Sequence, residues 1–365
     1  MKVSIKNAFN KKRVLAVIAI FAVIVVMIVS NPEVGEFFSS TETVRLNFQT
    51  GVEYDMVDYG NEMLLVNNEG VFAIDKRGRE AWSVVAATAS PQIWVNGRYF
   101  MLADINGKTV RTFEKEKLVA QIETENEILS AKMNNNGYVA IATDELGYKG
   151  MVMLFNKNGN EKFRWHSGTG YIGDIDVSDN NKLAVAQLTT DKDKVYSRII
   201  MIDPSSDKEP ECIAELEGIV MKLKYRDNGT LIAVSDRGVY AYKRSGRQRF
   251  AIDFGGRKPV ECNIENENNM VFAFDSGLNS IVLESYSSNG KKRGSYDAES
   301  EIFAIDANGE CIVAAKRDGI VRITPKGRVK KEIKASKDVK DIEVFAGRDK
   351  MLSLGGDSAE IMKIR

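Results

Sequence analysis

The 365-residue chain holds a single histidine, three cysteines and six prolines. One imidazole and scattered thiols leave little material for a His/Cys metal centre or for a thiol or imidazole mechanism. The cysteines, Cys212, Cys262 and Cys311, lie 50 and 49 residues apart and are odd in number, which excludes a fully paired disulfide scaffold. Charge of one sign is also missing. The 51 basic residues balance 51 acidic ones, so the basic excess that a nucleic-acid partner demands is absent. There is no phosphate loop, no nucleophile elbow and no calcium-binding loop. Helical periodicity is absent beyond residue 31. With 44% hydrophobic and 28% charged residues, the chain has enough apolar material for a large core and is not a disordered tail.

The first thirty residues differ from the rest. A basic tail, residues 1–13, carries Lys2, Lys6, Lys11, Lys12 and Arg13 and no acid. Residues 14–30 form one apolar run ending in Ser30; as a helix, its sixteen apolar residues would span roughly 24 Å, slightly short of a hydrocarbon core of roughly 30 Å. Snorkelling of Lys12 and Arg13 makes up much of the gap. The charge bias predicts a cytoplasmic N-terminus, an uncleaved single-pass signal-anchor and an extracytoplasmic remainder in the cell membrane. A cleaved signal peptide or a buried soluble helix are the alternatives, but Ile28-Val29-Ser30 is a poor cleavage site. Residues 31–42 read as a linker. Without the five N-terminal cations the exported part has 46 basic and 51 acidic residues. A net charge of that sign predicts no attraction to an anionic membrane surface.

Beyond the linker the sequence repeats. A turn signal followed by an apolar run recurs as GNEMLLV, NGRYFML, NGYVAIA, NNKLAVA, NGTLIAV, NNMVFAF, NGECIVA and RDKMLSL, at steps of 37, 40, 43, 49, 39, 41 and 39 residues. A second pattern places two glycine turns eight residues apart around a short alternating strand, at Gly70 and Gly78, Gly238 and Gly246, and Gly319 and Gly327. Each unit therefore holds four short strands, the size of one propeller blade. Residues 43–365 fit eight blades, with seven as the alternative because the fourth unit is irregular. The last unit has room for three strands only, and TVRLNF at 43–48 is expected to supply its fourth and lock the ring.

These motifs resemble a known group. AIDKRGREAW, with Asp75, Gly78 and Trp82, resembles the tryptophan-docking motif of PQQ-like, quinoprotein-type propellers, in which these positions bind neighbouring blades. FNKNGNEKFRW, with Gly159 and Trp165, is a looser copy carrying Asn156 and no alanine. The whole chain resembles membrane-anchored proteins of Gram-positive bacteria of the DUF5711 type. The resemblance implies an all-β, PQQ-like fold behind one N-terminal transmembrane helix, and it carries no activity. The carboxylates, Asn, Arg and adjacent cysteines with which quinone enzymes hold calcium and cofactor have no counterpart, so no cofactor is expected.

Candidate chemistry is sparse. His166 beside Ser167 could suggest a base and nucleophile, but adjacent side chains on a strand point to opposite faces. Asp174, Asp176 and Asp179 lack the later glutamate of a calcium loop. Trp94 reads as packing between blades. The more specific signal is a set of enlarged turns between second and third strands, at 143–150, 188–198 and 275–281. Insertions in repeat proteins gather on the binding face, so Asp144, Tyr148, Lys149, Asp191, Asp193 and Tyr196 are the candidate partner-binding residues. The expected function is a non-catalytic binding or scaffold module for an envelope protein or polymer. The resemblance to PQQ-like scaffold propellers of outer-membrane protein assembly points the same way. An extracellular glycan-active enzyme would require two inward-facing acids about 5–10 Å apart at the channel mouth. A ligand sensor would have to relay through a membrane partner.

Overall fold

A computed structural model of the chain describes residues 43–48, 52–277, 280–334 and 339–365. The expected basic tail, apolar anchor and linker lie outside the described residues. Among the described residues no helix is long and apolar enough to cross a membrane.

Among the described residues thirty-two strands form eight four-stranded antiparallel sheets, so the blade count is eight and not seven. Blades 1 to 7 are meanders in sequence order, spanning residues 55–85, 91–123, 128–166, 171–217, 220–253, 259–297 and 302–333. Blade 8 takes three strands from 341–363 and its outermost from the start of the ring. Val44–Asn47 pairs antiparallel with Ser358–Lys363, placing Val44 opposite Ile361 and Asn47 opposite Ser358. This joins the two ends of the propeller and leaves no unpaired terminal blade.

Strand sequence follows strand place. Second strands are covered on both faces by neighbouring blades, and they read as continuous apolar runs in place of alternating ones. Val139–Thr143 and Leu231–Ser235 are buried at every position. Fourth strands face outward and are largely charged, as in Glu161–His166 and Val329–Ile333. The core is a ring of eight clusters, one at each interface between consecutive blades. Leu64 and Trp82 of blade 1 meet Phe100 and Phe113 of blade 2 in one of them. Met63 of blade 1 meets Leu352 and Ile361 of blade 8 in another.

The docking residues explain how blades are keyed together. Asp75 accepts the backbone N–H groups of Arg77 and Arg79 at 2.8 and 3.0 Å and the Arg79 guanidinium at 2.7 Å, which fixes the turn. Gly78 has φ +77°, and a Cβ there would lie 2.5 Å from Val44 Cγ1 in the outer strand of blade 8. The turn thus presses on the preceding blade. Trp82 reaches the following one: its ring is 5.9 Å from that of Phe100, and its Nε1 donates to Glu62 at 2.9 Å. The looser copy repeats the arrangement, with Gly159 against Ala120 of blade 2 and Trp165 packed on the cluster shared with blade 4.

Candidate partner-binding face and channel

First strands are innermost in every blade and line the central channel. All run in the same direction, so their starting ends share one face with the turns between second and third strands. Call this the mouth face. Five consecutive blades carry a β-bulge near the start of the first strand. The extra residue is Leu129 in blade 3, Gly173 in blade 4, Met221 in blade 5, Val260 in blade 6 and Phe303 in blade 7. In blades 1, 2 and 8 the first strands pair without interruption.

A bulge re-aims a side chain that regular pairing would bury. Leu129, Met221, Val260 and Phe303 are 39%, 47%, 54% and 43% exposed, although they sit in the most interior strands of the fold. In blade 4, where the bulge residue is glycine, Tyr171 two positions earlier is 60% exposed. An apolar arc therefore runs around the channel mouth over five blades. These residues escaped the sequence reading. A signal was present: Ile128-Leu129, Val220-Met221 and Ile302-Phe303 each place two apolar residues side by side where a strand should alternate.

The sequence-predicted insertions flank this arc. In blade 3, residues 144–150 form an ordered loop folded against blade 4. The Tyr148 ring lies 4.6 Å from that of His166, and Lys149 Nζ sits 4.6 Å from the Tyr171 ring and 3.1 Å from its hydroxyl. Asp144, Tyr148 and Lys149 are exposed, and Leu146 at the tip is 96% exposed. In blade 4 the expected enlarged turn is instead a longer ribbon. Strands Leu183–Asp191 and Lys194–Ile202 pair up to Asp191 opposite Lys194, around a two-residue turn. Asp191 and Asp193 are exposed at its tip, whereas Tyr196 is half-buried opposite Thr189. Strands Asn269–Gly277 and Ser280–Ser287 make a similar ribbon in blade 6.

Further along the channel, carboxylates bridge blades. Asp174 accepts the N–H of Leu223 at 2.7 Å, Asp176 that of Tyr225, and Asp306 that of Val344 at 2.8 Å. Asp58 donates its N–H to Glu343 at 3.4 Å. The inner edge of each sheet exposes unpaired amides, and these acids satisfy four of them from the neighbouring blade. Their surroundings differ around the ring. Glu265 bridges Lys222 and Lys224 at 3.2 and 3.0 Å. Burial pushes its carboxyl up, but the two ammoniums outweigh that and hold it at about 2. Lys132 stands 3.6 Å from the Trp94 ring, so Trp94 is a channel platform for a cation. Across the channel, burial pushes Asp58 up to about 7, with Asp306 adding to the rise. Burial likewise raises Asp341 to about 6, and raises Glu343 together with its acidic neighbours. Asp58, Asp306 and Glu343, together with Glu265, line a cavity of about 330 Å³ near Asn266 and Asn308.

The remaining sequence candidates take structural places. The Ser167 hydroxyl donates to the Gly170 carbonyl and accepts from Gln187 at 2.7 Å, while His166 stacks on Tyr148, so the two form no base–nucleophile pair. Asp179 accepts from the backbone and side chain of Asn135 at 3.1 and 2.9 Å, on a different turn from the Asp174 and Asp176 contacts. Among the described residues no group of His, Cys, Asp and Glu could hold a metal ion. Of the three free thiols only Cys311 is buried; Cys212 is exposed in an outer strand.

Solved structures with the same architecture are distantly related in sequence. BamB from Moraxella catarrhalis is 11% identical, with a TM-score of 0.53 over 88% of this chain and 98% of that one. The C-terminal WD40 domain of Sif2 is 14% identical, with a TM-score of 0.62 over 88% and 97%. Sqt1 from Saccharomyces cerevisiae is 11% identical, with a TM-score of 0.60 over 87% and 99%. At these identities the likeness is one of fold. A comparison with curated proteins gives no match. A family model described as a family of unknown function, DUF5711, matches residues 37–364, and the chain belongs to that family.

Proposed function

We propose that this protein is a membrane-anchored, extracytoplasmic binding module whose mouth face engages another protein of the cell envelope. The observation that carries this reading is the apolar arc of bulged residues. Burying Leu129, Met221, Val260 and Phe303 would need only regular strand pairing, yet four blades spend a β-bulge to expose them. Protein interfaces place apolar and aromatic side chains at their centre and polar ones at the rim. The arc supplies such a centre, and the charged tips of the blade 3 and blade 4 insertions supply a rim. The channel acids are engaged in holding blades together, which favours a scaffold over a catalyst. The N-terminal charge bias and apolar run support the location.

Two readouts test this on the full chain in its own cells. Cys212 should react with a membrane-impermeant maleimide in intact cells, and labelling only after lysis would place the propeller on the other side. A tagged chain should co-purify an envelope protein from detergent extracts, and the double variant Met221→Ser, Phe303→Ser should lose it while keeping its melting temperature. Undiminished capture by that variant would remove the mouth face as the binding site.

A further inference from the structure

The exported part has a small acidic excess, but its charge is not evenly spread. The face opposite the mouth carries the turns between third and fourth strands. The seven such turns, at 76–79, 115–116, 156–160, 203–210, 243–247, 288–291 and 324–328, hold 12 lysines and arginines against 4 acids. The seven described turns between second and third strands, on the mouth face, hold 5 against 7. All of the twelve cations except the half-buried Lys76 are exposed. Only Lys76 and Arg79 of the twelve make an ion pair among the described residues. The outer rim of one face therefore carries ten cations without an ion pair among the described residues, densest in blades 5 and 7, at Lys243, Arg244, Arg247, Lys326 and Arg328.

The polypeptide enters the propeller on this same rim. Val44 begins the outer strand of blade 8 opposite Ile361, near the C-terminal end of its partner strand, and the Gly78 turn sits on it. The 43 residues up to that point include the apolar run 14–30.

We infer that the basic rim is a docking surface for the anionic headgroups of the bilayer in which the chain is anchored. The inference rests on the anchor reading above. Attraction to an anionic surface depends on the charge within about a Debye length, roughly 8–10 Å, and not on the net charge of the domain. The outer turns present their cations at that range; the turns between first and second strands, nearer the channel on the same face, add 4 cations and 6 acids, which leaves that face with 16 cations against 10 acids. Tethering keeps the effective headgroup concentration high, so modest attraction per cation is sufficient. Docked in this way, the propeller would turn its mouth away from the membrane, free to receive a partner.

The test uses the full chain with vesicles of phosphatidylcholine alone or mixed with phosphatidylglycerol. Flotation with neutral vesicles reads the anchor. Lysine acylation rates, residue by residue, read the rim. Lys243, Lys291 and Lys326 should be acylated several-fold more slowly on anionic than on neutral vesicles, and high salt should erase the difference. Lys108 and Lys192 on the mouth face should be unaffected. The variant Lys243→Gln, Arg244→Gln, Lys291→Gln, Lys326→Gln should lose salt-sensitive protection of Arg77-flanking Lys76 and of Lys157 while melting as the wild type does. Equal rates on the two vesicle types, or equal protection of both faces, would overturn the inference. Protection by inorganic polyphosphate but not by the anionic bilayer would overturn it in favour of a polymer ligand. A chain that fails to float with neutral vesicles loses the anchor reading. Salt-sensitive flotation with anionic vesicles alone would still support the rim, and its absence would sink it.

Discussion

Blades 3 to 7 and blades 8, 1 and 2 share the same four-stranded plan but differ in their innermost strands. In the first sector the strand starts are bulged, apolar side chains face the channel mouth, and Glu265 is paired with lysines. In the second the strands pair regularly and the first and last strands of the propeller meet. Asp58 and Glu343 there face other acids. The difference teaches that one repeat architecture has divided its labour. One sector holds the ring shut, and the other gives up regular pairing to present a surface.

The comparison breaks most visibly at closure. Deleting residues 43–48 should leave Ser358–Lys363 as an open edge and convert the protein to an aggregating species in size-exclusion chromatography. A monomeric product with unchanged melting would contradict the role of that strand. Trp82→Ala should cost about 3–5 kcal/mol in denaturant unfolding, because the ring is 8% exposed and fills the interface between blades 1 and 2. Trp165→Ala, in a half-buried copy, should cost about 1–2 kcal/mol. Equal costs would deny the closure sector its special place.

Acidity sharpens the contrast. Asp58 has a folded-state pKa of about 7 against an ordinary value of 3.8, so the folded state binds this proton more tightly than the unfolded one. Stability should therefore rise as pH falls from about 8 towards 4 through this group. Glu265 and Glu284 act in the opposite sense. Held at about 2 against an ordinary 4.5, they stabilise above about 4.5, and that contribution is lost as pH falls through 2. A stability maximum between roughly pH 4.5 and 6 follows. Asp58→Asn should flatten the upper limb and stabilise the protein at pH 8 by about 1–3 kcal/mol, read as a shift in melting temperature between the two pH values. An unaltered pH profile would remove the acidic wall from the account. The smallest effect on stability belongs to the arc: Met221→Ser and Phe303→Ser should each stay within about 0.5 kcal/mol of the wild type, while truncation of a binding hot spot costs over about 1 kcal/mol of affinity.

Much of the architecture was legible in the sequence. The Asn-Gly and Gly-x7-Gly periods marked the turns, the continuous apolar runs marked the doubly covered second strands, and Trp82 with Gly78 marked the keying between blades. Each of those signals is local, because turn chemistry and burial act on neighbouring residues. The proposed binding face was read only in part. Tyr148 and Lys149 do sit on an ordered insertion, but Tyr196 lies within a paired ribbon, because a lengthened hairpin and a lengthened loop look alike without knowledge of pairing. The bulged residues were missed for the same reason. A bulge is a property of the register between two strands, and register is set by the whole sheet. The basic rim was hidden by net charge, which sums over faces that a partner meets one at a time.

The most direct test of the divided ring is photo-crosslinking in living cells from single sites on the full chain. A photoreactive residue would replace Phe303, Met221 or Tyr148 at the mouth, with Lys162 on the exposed outer strand of blade 3 as the control. The account predicts one common protein adduct from the three mouth sites and none from Lys162. No adduct from the mouth, or the same adducts from all four positions, would contradict it.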